Sequence, residues 1–327
     1  MRETLCQYLE CPVCRSGLKL SAGESDGDEI LDGDFTCTGC GRITPIVGGV
    51  PRFIPKDLSH DVQHTARNFG ASWKIWREID DVRYRRQLLQ WLPSLVPEDV
   101  EGKTVLDAGC GKGRHLRTMA QLGAKAVIGV DLSDAVDVAF ANTCNFPNVH
   151  IVQADLRALP FRRGFDLAYS VGVLHHTPDP AASFRAVVDL VRPGGNAGCW
   201  VYGRENNGWI ISLVNPVRLC LTRHLPSWMV LAISSIGSVV LFGLIYGLYV
   251  PAKLLGLRLF YRDYLLNLKR LGFAETRHIV YDHLIAPTAF YLRREEVQSW
   301  FDDKRFADAT VSWVNCNSWS GLGKLTA

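Results

Sequence analysis

Asp107-Ala108-Gly109-Cys110-Gly111-Lys112-Gly113-Arg114 stands between an apolar run, 104–108, and a helical stretch, 114–122. Three glycines at alternate positions let the backbone turn tightly and come close to a bound molecule. A loop so placed opens a helix N-terminus, whose unpaired N–H groups favour a carboxylate or phosphate. Alone it is a weak signal, because dinucleotide-binding chains carry a similar loop. Working outward, the pattern around it repeats. Short apolar runs at 126–130, 149–153, 165–170 and 197–201 read as buried strands. Stretches 134–142 and 180–191 read as the helices between them. That alternation predicts an α/β fold with a parallel, doubly wound sheet.

Three carboxylates sharpen the reading. Asp107 stands just before the loop, where it can take an ammonium group. Asp131 ends the next strand, about twenty residues on, where an acid can accept from two ribose hydroxyls. Asp155 follows the third strand in Gln153-Ala154-Asp155-Leu156, placed to accept from an adenine amine. The ordered set continues with Gly129-Val130-Asp131-Leu132-Ser133, Phe165-Asp166-Leu167-Ala168-Tyr169-Ser170, Val173-Leu174-His175-His176 and Arg192-Pro193-Gly194-Gly195. Over 104–202 it resembles the class I S-adenosylmethionine (SAM)-dependent methyltransferases. The resemblance implies a Rossmann-like seven-stranded sheet of order 3-2-1-4-5-7-6, its last two strands drawn from 309–314 and a tail near 319–325. It also implies SAM as cofactor, held by Asp107, Gly109, Gly111, Gly113, Asp131, Leu132, Asp155, Leu156 and Ser170. Trp73, in Asn68-Phe69-Gly70-Ala71-Ser72-Trp73, is similar to the aromatic lid of related enzymes. The competing reading is a nucleotide fold that has lost its ligand.

Methyl transfer to a hydroxyl or carbon acceptor needs alignment, exclusion of water and removal of a proton. His175 and His176 follow the fourth strand, at the sheet end where such ligands bind. The Leu174-His175-His176 segment is similar to one in ubiquinone- and menaquinone-pathway methyltransferases, and its plainer role is to position a loop. Asp282-His283-Leu284 forms a second cluster, read as a polar turn, in which a carboxylate orients an imidazole. His175, His176 and His283 are thus the candidate bases.

Residues 1–55 form a separate compositional unit. Cys11-Pro12-Val13-Cys14 and Cys37-Thr38-Gly39-Cys40 are two CxxC knuckles, a tetrahedral thiolate set suited to structural zinc with no open position for substrate. The acidic stretch 21–34 between them reads as a solvated hairpin tip. Over 5–55 this module resembles the zinc-ribbon activator subunit that partners tRNA and translation-factor methyltransferases, which implies a scaffold or docking role. Residues 56–100 read as a helical linker or lid, 101–203 as the SAM-binding core and 263–327 as the completion of the sheet.

Between them, 204–262 is a long apolar insertion with no Asp, Glu, Lys or Arg from 224 to 252. It is long enough to cross a bilayer. A single crossing would put the last strands on the wrong side of the membrane from their own sheet, and basic residues flank both ends. A helical hairpin or pair of helices capping a greasy acceptor pocket is therefore expected, with peripheral membrane contact through 225–252 as an option. A formal net charge of +3 gives no support to a broad nucleic-acid grip. No apolar leader is visible, so a cytoplasmic, reducing setting is expected for the ten cysteines. The reading is a methyltransferase acting on a small, lipophilic acceptor. The rivals are a tRNA or rRNA methyltransferase docked through the ribbon and a non-catalytic SAM-binding partner protein.

Overall fold

The computed structural model describes residues 1–302 and 304–327. The N-terminal unit supplies four antiparallel strands: β1 (Leu18–Ala22), β2 (Gly33–Cys37), β3 (Ile43–Val47) and β4 (Val50–Phe53). The acidic tip folds into a small exposed hairpin, Ser25–Asp26 against Glu29–Ile30. The core follows with β5 (Thr104–Ala108), β6 (Ala126–Asp131), β7 (Val149–Ala154), β8 (Phe165–Val171), β9 (Val191–Tyr202), β10 (Phe306–Val314) and β11 (Ser318–Leu325). Strands β5 and β7 are buried throughout, as expected of parallel strands covered on both faces.

The core strands run β7-β6-β5-β8-β9-β11-β10, the order 3-2-1-4-5-7-6. The sheet, however, does not stop at seven strands. β4 pairs in parallel with β7 through Arg52↔Gln153 and Phe53↔Ala154, so the N-terminal unit extends one sheet to eleven strands. The reason is the open edge of β7, a row of unpaired N–H and C=O groups that some segment must cover. Leu5, Phe35 and Phe53 then share a core with Val152 and Ala154, each burial contributing about 1.5–3 kcal/mol. The module is welded to the core.

Side-chain alternation along the strands splits the interior in two. Leu106, Ile128 and Val152 face one cluster, with Phe184 and Phe301. Val105, Val127 and Ile151 face the other, with Leu88, Leu116 and Val136. The helices are α1 (His60–Ile75), α2 (Asp81–Trp91), α3 (Arg114–Gln121), α4 (Ala135–Thr143), α5 (Pro180–Val188), α6 (Asn215–Cys220), α7 (Ser227–Leu254), α8 (Arg262–Leu271), α9 (Phe273–Ile285) and α10 (Arg294–Phe301). α5 stops short of the expected 191, because Val191 already opens β9 beside Phe165.

The insertion holds two helices, α6 and α7, rather than a hairpin within 225–252; α7 is one continuous helix of 28 residues with a π turn at Ile245–Tyr249. Its packing partners come from later in the chain: Tyr281, Leu284 and Ile285 against Val230, and Leu265 and Leu268 against Ile245.

Candidate active site

A cavity of about 690 Å³ opens beyond the C-terminal ends of the core strands. Its walls are the glycine loop, α1 through Phe69 and Trp73, α9 through Glu275, His278, Asp282 and His283, and Tyr202 and Tyr291. None of residues 1–61 and none of 225–252 lines it. The cap is therefore α8 and α9, not the apolar stretch, because α9 stands between α7 and the sheet end.

The loop is shaped by positive φ at Gly109 (95°), Gly111 (52°) and Gly113 (84°). A Cβ on Gly109 would meet Val173 at 2.3 Å, and one on Gly111 would meet the Trp73 indole nitrogen at 2.9 Å. The loop is thus a cradle only glycine fits. Gly111→Ala is expected to push Trp73 aside and weaken SAM binding about tenfold, at about 1–2 kcal/mol of strain. Isothermal titration checks it; unchanged affinity would remove the loop and Trp73 from the site.

Asp131 sits on the cavity wall. Its Oδ2 accepts from the Gly111 N–H at 2.9 Å, and its Oδ1 from the Ser133 N–H and hydroxyl at 2.8 and 2.6 Å. Burial raises its pKa, against those hydrogen bonds. Oδ1 thus has both lone pairs engaged, and Oδ2 keeps one for a further donor. Leu132 and Leu156 also face the cavity, as does Asp155. The Asp155 carboxylate is already held by the Arg157 guanidinium at 2.6 Å, a partner the sequence reading did not give it.

Four expected residues lie off the cavity wall. Asp107 is 1% exposed behind the loop, where burial pushes its carboxyl up to about 7. The neighbouring Tyr169 hydroxyl hydrogen-bonds to it and opposes that rise. Gly113 caps α3 and packs on Ala139. Ser170 donates to the Ala108 carbonyl at 2.7 Å beneath the floor. His175 is fully buried, stacked on Tyr202 at 3.9 Å, and neither ring nitrogen has a partner among the described residues. Burial drives its pKa well down. It is a wall support, not a base facing the cavity.

His176 and His283 do line the cavity. Asp282-His283 lies inside α9 and not in a turn. His176 Nδ1 is 2.7 Å from the Thr288 carbonyl and His283 Nδ1 is 2.9 Å from the Ile279 carbonyl. A carbonyl only accepts, so Nδ1 carries the proton in both and Nε2 keeps its lone pair. Burial pushes His176 down to about 4. Burial also lowers His283, with the neighbouring Asp282 charge opposing it.

A charged network escaped the sequence reading. Lys112, inside the glycine loop, donates to the Trp76 and Glu78 carbonyls at 2.7 and 2.9 Å and to the Tyr84 hydroxyl at 3.0 Å. Burial lowers its pKa to about 8. Tyr84 in turn donates to Glu275 at 3.2 Å. His278 lies 3.2 Å from Asp282, stacked on Trp76 and edge-to-face with Trp73. Burial works to raise the Glu275 carboxyl, but the His278 hydrogen bond and nearby positive charges hold it at about 2. Arg114 lies over the rings of Trp73, Tyr84 and Trp91. The available signal was the spacing of Glu275, His278 and Asp282, which shares one helix face.

The four knuckle thiols converge away from the cavity. Their sulfurs all lie within 4.8 Å of one another, and Cys37 Sγ accepts the Gly39 and Cys40 N–H groups at 3.4 Å each. Such a donor set, with N–H groups aimed at a thiolate, could hold a structural zinc ion.

Residues 105–195 match the methyltransferase domain family. A Pseudoalteromonas translucida tRNA U34 carboxymethyltransferase is 39% identical over 32% of this chain and 33% of its own length. An Albidiferax ferrireducens ubiquinone biosynthesis O-methyltransferase is 37% identical over 47% of this chain and 60% of its own. The chain thus spans between a third and three fifths of the length of these curated relatives. Among solved structures, a chain of the complex between the Haloferax volcanii Trm112 methyltransferase activator and a methyltransferase aligns over 79% of this chain and 98% of its own. That alignment has 15% identity and a TM-score of 0.46.

Proposed function

We propose that this chain, whose residues 105–195 match the methyltransferase domain family, moves a methyl group from SAM to an oxygen or carbon of a small, lipophilic acceptor. The observation that carries the reading is the cavity: a glycine cradle and Asp131 at one part of its wall, and two imidazoles with free Nε2 lone pairs in an aromatic setting at another. SAM, when bound, supplies an electrophilic methyl group. Gly109, Gly111, Asp131, Leu132, Asp155, Leu156 and Trp73 would hold it, with Asp107 answering its ammonium from behind the loop. The chain's own part is to align the acceptor, keep water out and take its proton.

His283 is the residue we assign to that proton, since Asp282 beside it favours the charged form that arises on proton uptake. His283→Gln is expected to lower kcat about a hundredfold with little change in KM for SAM. Burial holds its pKa below the usual imidazole range, so the neutral base is present through neutrality and is lost as pH falls through the lowered value. Wild-type activity should stay flat through neutrality and fall only on the acid side. A pH–rate profile of kcat/KM checks this; an acid limb that survives unchanged in the variant would assign the base elsewhere.

A second reading rests on the tRNA U34 carboxymethyltransferase relatives, whose acceptor is a nucleic acid by name. The deciding experiment incubates the purified chain with methyl-labelled SAM and a cell lysate. Label in the organic-extractable fraction supports the lipophilic acceptor; label in RNA overturns it.

A further inference from the structure

Helix α7 leaves most of its apolar surface facing outward. A surface helix in water buries its apolar stripe and presents polar residues to solvent. In α7 the inward residues include Ser234 and Ser238, whose hydroxyls bond back to the Leu231 and Ser234 carbonyls at 2.8 and 2.7 Å. The outward residues include Trp228 (70% exposed), Ile236 (67%), Val240 (67%) and Leu254 (83%). Only 22% of its most apolar stretch is buried. A face of this size is unusual on a water-exposed surface.

The surrounding charges say what covers it. From 206 to 262 there is no Asp or Glu, while Arg223, Lys253 and Arg258 flank the helix at its two ends and keep some exposure; Arg262 beyond them is paired with Asp263. A second copy packed antiparallel on this face would bring Arg223 of one chain toward Lys253 of the other, with no acid from the segment to pair them. Anionic lipid headgroups match both the apolar face and its basic ends. Crossing the bilayer is ruled out by the packing. α7 is fastened along its length to α8 and α9, and α9 carries Glu275, His278 and Asp282, which would be dragged into hydrocarbon.

We propose that the exposed face of α7 docks on an anionic bilayer surface, with the helix parallel to the membrane plane. The inference does not depend on the acceptor, because binding to lipid needs no turnover.

The test is cosedimentation of the full chain with phosphatidylcholine vesicles, with and without phosphatidylglycerol. Wild type is expected to pellet with the anionic vesicles, and less so as salt rises. Ile236→Glu with Val240→Glu, both on the exposed face, should reduce the bound fraction about tenfold or more. Unchanged SAM affinity and melting temperature show that this variant is folded. Quenching of tryptophan fluorescence by brominated lipid should also fall in Trp228→Phe. Wild type left in the supernatant, equal capture by neutral vesicles, or undiminished capture of the double variant would each overturn the proposal. So would a wild-type dimer, silent toward vesicles, that the double variant converts to monomer.

Discussion

Asp131→Ala is expected to weaken SAM binding about a hundredfold while the protein stays folded. The arithmetic follows from the carboxylate's Oδ2, which accepts only the Gly111 N–H and keeps a lone pair, whereas Oδ1 is filled by Ser133. A hydrogen bond to a charged group contributes about 1.5–3 kcal/mol, so losing it costs about ten- to a hundredfold in affinity. The Gly111 N–H would also lose its acceptor, loosening the cradle. Ser133→Ala separates these effects: it removes one bond to Oδ1 but leaves the carboxylate, and should cost no more than about tenfold. Isothermal titration with SAM reads both variants, and a melting curve confirms folding. If Asp131→Ala bound SAM as wild type does, the ribose assignment would be wrong and the cavity would need another cofactor site.

Stripping zinc, or replacing Cys37 by serine, is expected to destabilise the whole chain and not only residues 1–55. Structural zinc contributes about 10–16 kcal/mol of folding free energy in small zinc modules. Here the loss is transmitted, because β4 covers the edge of β7 and Phe35 and Phe53 lie in the same core as Val152. A loss of several kcal/mol should lower the melting temperature by about 10 °C or more. Cys6→Ser, outside the converging thiols, should change little. Because no residue of the N-terminal unit lines the cavity, molecules of Cys37→Ser that remain folded should bind SAM with unchanged affinity. Metal analysis and scanning calorimetry check this. A zinc-free Cys37→Ser protein that melted like wild type would refute a structural metal at these thiols.

Local pattern carried much of the architecture. The apolar runs 104–108 through 197–201 became strands because strand and helix periodicities are set within a few residues. The glycine loop and the two CxxC knuckles were legible for the same reason: their chemistry depends on spacing within one turn. Helix limits were less so. The sequence carried 180–191 as one helix, whereas Val191 is claimed by pairing with Phe165, a contact made across the sheet.

What the sequence determined by itself is therefore the strand order implied by its motifs, the thiol set and the place of Asp131 at a strand end. Tertiary packing decided the rest. It joined β4 to β7, put Asp107, Ser170 and His175 off the cavity wall, and gave Asp155 to Arg157. It brought Glu275 to Tyr84 across 191 residues of chain and turned the serines of α7 inward. Each of these depends on which surfaces of distant elements meet, and on the cost of leaving a sheet edge or a charge uncovered. Spacing along a chain fixes neither.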